Sequence, residues 1–125
     1  MANVLVVEDN PSNMKFTRFL LERAGHHVIE SGDASAAIQL ARTYLPDLVL
    51  MDVQLPGVDG LTATRLLKDD PELRHIPVVA LTALAMHGDE ARILAAGCDG
   101  YIAKPIDYRD FLQQVADLVG DGARN

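Results

Sequence analysis

Three carboxylates, a hydroxyl and a primary amine each stand just past a short apolar run. Glu8 and Asp9, followed by Asn10, come after Val4-Leu5-Val6-Val7, and Asp52 comes after Leu48-Val49-Leu50-Met51. Thr82 comes after Val78-Val79-Ala80-Leu81, and Lys104, with Pro105, comes after Tyr101-Ile102-Ala103. Taken singly, each has an ordinary use: Asp9 or Asn10 can cap a helix, Asp52 can stabilise a turn, Thr82 can cap the next segment, and Lys104 can stay solvated. Delivered to one edge, they do something else. Clustered carboxylates repel and raise one another's proton affinity unless a cation sits among them. Oxygen ligands with no Cys and no well-placed His select a hard ion, Mg²⁺, with Mn²⁺ able to take its place. In such a set an Asp carboxylate can act as nucleophile toward a phosphoryl group and form an acyl phosphate. Asp52 is the candidate nucleophile; Thr82 would donate to one phosphoryl oxygen and Lys104 would pair with another.

The elements that must position these groups are legible in the apolar pattern. Continuous, β-branched runs over 4–7, 48–51 and 78–81 read as strands covered on both faces. His27-Val28-Ile29-Glu30, polar at its ends, reads as an edge strand, and Tyr101-Ile102-Ala103 as a brief fifth. Between them lie helix signals. Asn10-Pro11 places a cap before a first-turn proline, and that helix runs to Gly25. Asp33 opens a second helix with Ala37, Leu40, Ala41 and Tyr44 on one stripe, stopped by Pro46, and Asp59 opens a third that ends before Pro71. Ala91, Leu94 and Ala95 mark a short fourth, and Tyr108, Phe111, Leu112, Val115 and Val119 a fifth. Strict alternation predicts an α/β, doubly wound five-stranded parallel sheet with right-handed crossovers. Ligands of such sheets sit beyond the carboxyl ends of the strands, where the strand order reverses. Residues 120–125 are expected to fray.

Composition narrows the function further. A chain of 125 residues reads as one domain, and 49% hydrophobic with 23% charged residues is the balance of a soluble globular protein. The net charge of -7 disfavours nonspecific nucleic-acid binding and anionic membrane, which require concentrated Lys and Arg. One cysteine, Cys98, cannot form an internal disulfide and reads as inert packing, so a reducing cytoplasm is the expected compartment. No G-x-G-x-x-G or P-loop follows the first strand, and the acids there repel a pyrophosphate, so a dinucleotide or ATP site is not expected. His26, His27, His75 and His87 have no metal-binding spacing.

Five stretches in order, Val6-Val7-Glu8-Asp9-Asn10, Asp47-Leu48-Val49-Leu50-Met51-Asp52, Leu55-Pro56-Gly57-Val58-Asp59-Gly60, Ala80-Leu81-Thr82-Ala83 and Tyr101-Ile102-Ala103-Lys104-Pro105, resemble the receiver domain of two-component response regulators. The resemblance covers essentially the whole chain and is strongest to single-domain members that regulate cell division. It implies a flavodoxin-like (βα)5 fold of strand order 2-1-3-4-5, phosphorylated on Asp52 by a histidine kinase or histidine phosphotransfer protein. It further implies that Asp9 and Asp52 bind Mg²⁺ directly, Glu8 through water, and Gln54 through its backbone carbonyl. Thr82 and Tyr101 become a switch pair, Lys104-Pro105 a cis peptide, and Gln54 and Leu84 the positions that tune dephosphorylation. Leu84 is apolar and neither orients nor deprotonates water, so slow self-hydrolysis is expected.

The implied output is a change of the surface formed by the fourth helix, fifth strand and fifth helix. With no DNA-binding domain attached, the expected listener is another protein, reached by allosteric binding or by onward phosphotransfer, and the expected oligomeric state is monomeric. The chain is expected not to be an enzyme beyond its own phosphorylation and slow autodephosphorylation. Two rivals remain at this point. A small aspartyl-phosphate hydrolase needs a second acid/base and a substrate pocket, neither visible in the sequence. A phosphorylation-independent interaction domain on the same fold would not require the acidic set, Thr82 or Lys104.

Overall fold

Each apolar run forms a strand, and each is followed by a helix that returns the chain to the start of the next. The computed structural model describes residues 2–55, 59–82 and 89–119. The order is β1 (Asn3–Val7), α1 (Pro11–Arg23), β2 (His27–Ser31), α2 (Ala34–Tyr44), β3 (Leu48–Asp52), α3 (Gly60–Asp69), β4 (Val78–Thr82), α4 (Asp89–Ala95), β5 (Gly100–Ala103) and α5 (Tyr108–Leu118). The strands form one sheet in the order β2-β1-β3-β4-β5, every neighbouring pair parallel. The chain steps from β1 outward to β2 and then back across to β3. Strand order therefore reverses between β1 and β3, and that places the crevice for ligands at their carboxyl ends.

The period of two along each strand divides the core into two layers. Leu5, Val7, Val49, Met51, Val78 and Ala80 face α2, α3 and α4, meeting Ala37, Ala41, Leu61, Leu67 and Ile93. Val4, Val6, Leu48, Leu50, Val79 and Leu81 face α1 and α5, meeting Met14, Leu21, Phe111 and Val115. β1, β3 and β4 are therefore buried on both sides, which is why their sequences run apolar without alternation. Each large side chain buried in these layers contributes about 1.5–3 kcal/mol.

Helix starts follow the capping chemistry. Asn10, Asp33, Asp59 and Asp107 are N-caps whose side chains accept from backbone N–H groups of the first turn. The Asp59 carboxyl is held below its usual range by the Thr62 N–H it accepts. Gly25 takes φ +92° after α1, the left-handed position foreseen for it.

Three details of the helix stripes differ from expectation, the simplest being Tyr108, which opens α5 at 50% exposure while Phe111 and Val115 are the residues that face the core. In α2 the buried stripe is Ala34, Ala37 and Ala41, while Tyr44 is 56% exposed and lines a shallow groove with Asn3, His27, Val28 and Ile29. The helix ends at Tyr44 with Leu45 in the left-handed conformation (φ 46°), and its last turn lies over the amino-terminal margin of β1 and β2. In α4, Ala91, Leu94 and Ala95 point outward, and Ile93 and Ala96 anchor the segment. Alanine carries no facial preference of its own, so an Ala-rich helix takes its phase from one large residue, here Ile93. Leu84, His87 and the tail 120–125, for which the sequence also set expectations, lie outside the described residues.

Candidate functional site

Glu8, Asp52 and Thr82 are buried polar side chains at the carboxyl ends of β1, β3 and β4, at 3%, 4% and 1% exposure. Parallel pairing makes these ends flush: Val7 lies opposite Met51, Asp52 opposite Leu81, and Thr82 opposite Ala103. One or two residues past each register pair, the chain supplies a functional group. Glu8, Asp9 and Asp52 each offer a carboxylate oxygen, and these oxygens lie within 4.8 Å of one another. Asp9 is exposed and faces solvent over the two buried acids.

Lys104 closes the group. Its ammonium donates to Glu8 Oε1 at 3.1 Å and to Asp52 Oδ2 at 3.3 Å, bridging the first and third strands from just beyond the fifth. The peptide between Lys104 and Pro105 is cis. The Lys104 N–H donates to the Thr82 carbonyl at 2.8 Å, so the lysine's backbone is registered to the end of β4. Glu8 Oε2 accepts from the Asn10 N–H at 3.2 Å, and the Glu8 N–H donates to the Ser31 carbonyl. Asp52 Oδ1 accepts from the Gln54 N–H at 3.0 Å.

Asp52 carries the electrostatic stress of this arrangement. Its carboxyl is pushed up to about 6, first by burial and then by Glu8; the Gln54 N–H and the Lys104 ammonium pull the other way. A single lysine therefore does not fully compensate the cluster, and hard oxygen donors with excess negative charge are the environment a divalent cation such as Mg²⁺ fits. Of the sequence-derived site residues, Glu8, Asp9, Asp52, Thr82 and Lys104 converge. Gln54 enters through its backbone; its side chain is exposed. Tyr101, on β5, is half-buried, and its hydroxyl donates to the Glu90 carboxylate on α4, which holds the phenol above its usual range.

Two contributors carried no assigned role. A β-carbon at Gly60 would lie 2.1 Å from the Asp52 carbonyl oxygen, so the start of α3 packs directly on the backbone of the nucleophile candidate. A glycine straight after a capping Asp, where a helix former would serve better, is the signal for it. Glu90, an exposed acid on a short helix, has no such signal. Cys98 behaves as expected for packing: it is buried, its thiol is raised first by burial, and it contacts Thr64 Oγ1 at 3.9 Å.

Residues 4–116 match the model of the response regulator receiver domain. The chain belongs to that family. Among its relatives, the polar-differentiation response regulators DivK of Brucella anthropi and Brucella ovis are each 51% identical over 119 residues, covering 95% of this chain and 97% of theirs. The receiver domain of the Pseudomonas aeruginosa sensor histidine kinase PA1611, solved with a magnesium ion coordinated in its active-site cleft, superposes with TM-score 0.89 at 34% identity, covering 95% of this chain and 98% of that one. A response regulator structure from Chloroflexus aurantiacus gives 0.92 at 27% identity, covering 95% and 98%. The flavodoxin-like receiver fold and the 2-1-3-4-5 order are thus those of this receiver domain. Among the described residues, no helix is long and apolar enough to cross a membrane.

Proposed function

We propose that this receiver domain accepts a phosphoryl group on Asp52 from a phosphohistidine of a kinase or phosphotransfer protein, and signals through altered protein binding. The observation that carries this reading is the Asp52 carboxylate, buried at a strand end, bound by Lys104 and adjoining Glu8 and Asp9 within 4.8 Å. An Asp52 oxygen attacks phosphorus as the phosphorus–nitrogen bond breaks; the imidazole leaves with that electron pair and takes a proton from solvent. Lys104 is placed to pair with a phosphoryl oxygen, and Thr82 to donate to another. Asp9 and Asp52, with the Gln54 carbonyl and with Glu8 acting through water, would hold Mg²⁺ or Mn²⁺. When bound, the ion neutralises charge on the incoming oxygens.

The reading extends to what surrounds the site. Beside Glu8 and Lys104 opens a groove of about 240 Å³ lined by Asn13, Phe16, Thr17, Pro105 and Ile106, an apolar flank suited to a protein donor. The chain acts as a substrate and relay, not as a turnover enzyme, and works in the cytoplasm as a monomer. Leu84 makes the acyl phosphate long-lived, since its apolar side chain neither orients nor deprotonates an attacking water; Gln54 is the other position that tunes dephosphorylation. In the switch, Thr82 engages the phosphoryl oxygens and Tyr101 turns inward, reshaping the α4-β5-α5 face.

Intact mass after incubation with a small acyl-phosphate donor tests the core of this. One phosphoryl group that requires both Mg²⁺ and Asp52, and is absent from Asp52→Asn, is expected. No adduct on a folded chain under any condition overturns it in favour of a phosphorylation-independent interaction domain.

A further inference from the structure

Tyr101 lies at the boundary between the core and the surface of α4. Its ring packs against the core layer shared with α2, α3 and α4, but its hydroxyl reaches out to Glu90. Its cross-strand neighbour is Ala80, the smallest apolar side chain, fully buried on the same layer. Two residues further along β4, and on the same face by the period of two, stands Thr82. Among the described residues of β4, no bulky side chain stands between the ring and Thr82, and the hydroxyl's partner holds the phenol outward. That partner is a carboxylate, and a phenol–carboxylate hydrogen bond is stronger than one between neutral groups.

We infer that Glu90 is a latch: its carboxylate holds the Tyr101 hydroxyl against α4 and so disfavours every state in which the ring turns in toward Thr82. The inference rests on the proposed role of Thr82 and Tyr101 as a switch pair and adds the residue that sets its resting position. Glu90 touches neither phosphoryl group nor metal ligands; it is a positioning residue acting through Tyr101. Linkage gives the consequence. A contact made only in the outward state lowers the competent fraction, and therefore the apparent affinity for anything that binds the inward state. Breaking it removes that handicap.

The composition supplies a reporter. The chain has no Trp and three Tyr, so in a Tyr44→Phe, Tyr108→Phe background all aromatic emission above that of phenylalanine comes from Tyr101. A phenol donating to a carboxylate emits weakly, because proton transfer in the excited state competes with emission. In the full chain, Glu90→Ala is expected to raise Tyr101 emission and to lower the midpoint for beryllofluoride with Mg²⁺ about five-fold, the effect of one such hydrogen bond. Glu90→Gln, which keeps an uncharged acceptor, is expected to fall between. In a Tyr101→Phe background, Glu90→Ala is expected to leave the beryllofluoride midpoint, read by fluorine resonance, where it was. Unchanged emission and midpoint in Glu90→Ala, with beryllofluoride still binding, overturn the latch alone. Failure of the unsubstituted chain to bind beryllofluoride overturns the receiver chemistry, and the latch with it.

Discussion

The main-chain carbonyl of Asp52 and the α-carbon of Gly60 are in such close approach that a β-carbon at Gly60 would stand 2.1 Å from the oxygen. The same glycine donates its N–H to the Val53 carbonyl at 3.2 Å, so the start of α3 is stitched to the end of β3. Gly60→Ala must push the two apart. The expected cost is about 1–3 kcal/mol of stability, as for other overpacked sites, together with slower phosphorylation because the carboxylate is moved from Lys104. Urea melts and adduct formation by mass check both; a variant with wild-type values in each would mean that the contact relaxes freely.

Metal-free stability should depend on pH through Asp52. Its folded carboxyl holds a proton to about pH 6, whereas the unfolded group, at 3.8, has released it. Between those values the folded state binds more protons, so stability falls as pH rises, and the loss is complete above 6. Mg²⁺ reverses this by binding the ionised acids, adding about 2.7 kcal/mol at one hundred times its dissociation constant. Thermal melts at pH 5 and 7.5 should show a larger Mg²⁺ gain at the higher pH. At pH 7.5 without metal, Asp52→Asn should melt above the parent chain. Equal Mg²⁺ gains in Asp52→Asn and the parent would sink this account.

Lys104 is the counter-charge for two buried acids at once. Lys104→Met leaves Glu8 and Asp52 facing each other without it, at an expected cost of about 1–3 kcal/mol. The phosphorylation rate should drop roughly ten- to a hundred-fold, since one charge-assisted bond to the phosphoryl oxygens is lost. Single-turnover kinetics with a small acyl phosphate read the rate; no change there would assign the lysine to structure only.

Phe16, 46% exposed on the groove beside Glu8 and Lys104, carries no group that could bond a phosphoryl oxygen or a metal ion. Phe16→Ala should therefore leave phosphorylation by a small donor unaltered and slow transfer from a phosphohistidine protein by about ten-fold, the effect of an aromatic contact at a docking surface. Equal slowing with both donors would place Phe16 in the site's architecture instead.

The sheet was legible in the sequence because strands covered on both faces read as short, continuous apolar runs, as Val4–Val7, Leu48–Met51 and Val78–Leu81 do between turn and helix-start signals. The acids, Thr82 and Lys104 were legible because each follows a strand directly, and strand ends are where a parallel sheet delivers its chemistry. Helix phase was harder. Tyr44 obeys the stripe of α2 but overhangs the sheet, a fact of tertiary placement; Ala91 and Ala95 carry too little side chain to declare a face. Glu90 was invisible for a related reason. Its meaning lies in Tyr101, eleven positions away on another element, and nothing local distinguishes it from a solvated acid.

Glu8 and Lys104 form an ion pair although 96 positions separate them. During synthesis, β1, β2 and β3 can emerge and pair while the lysine is still unmade. The nascent chain at that stage has its acids but no counter-ion, and its acceptor aspartate lacks the group that would steady an incoming phosphoryl oxygen. Competence to receive a signal is therefore acquired last, with the docking of β5. On the proposed chemistry, a copy truncated before Lys104 would take phosphoryl groups only slowly and would compete poorly with finished molecules.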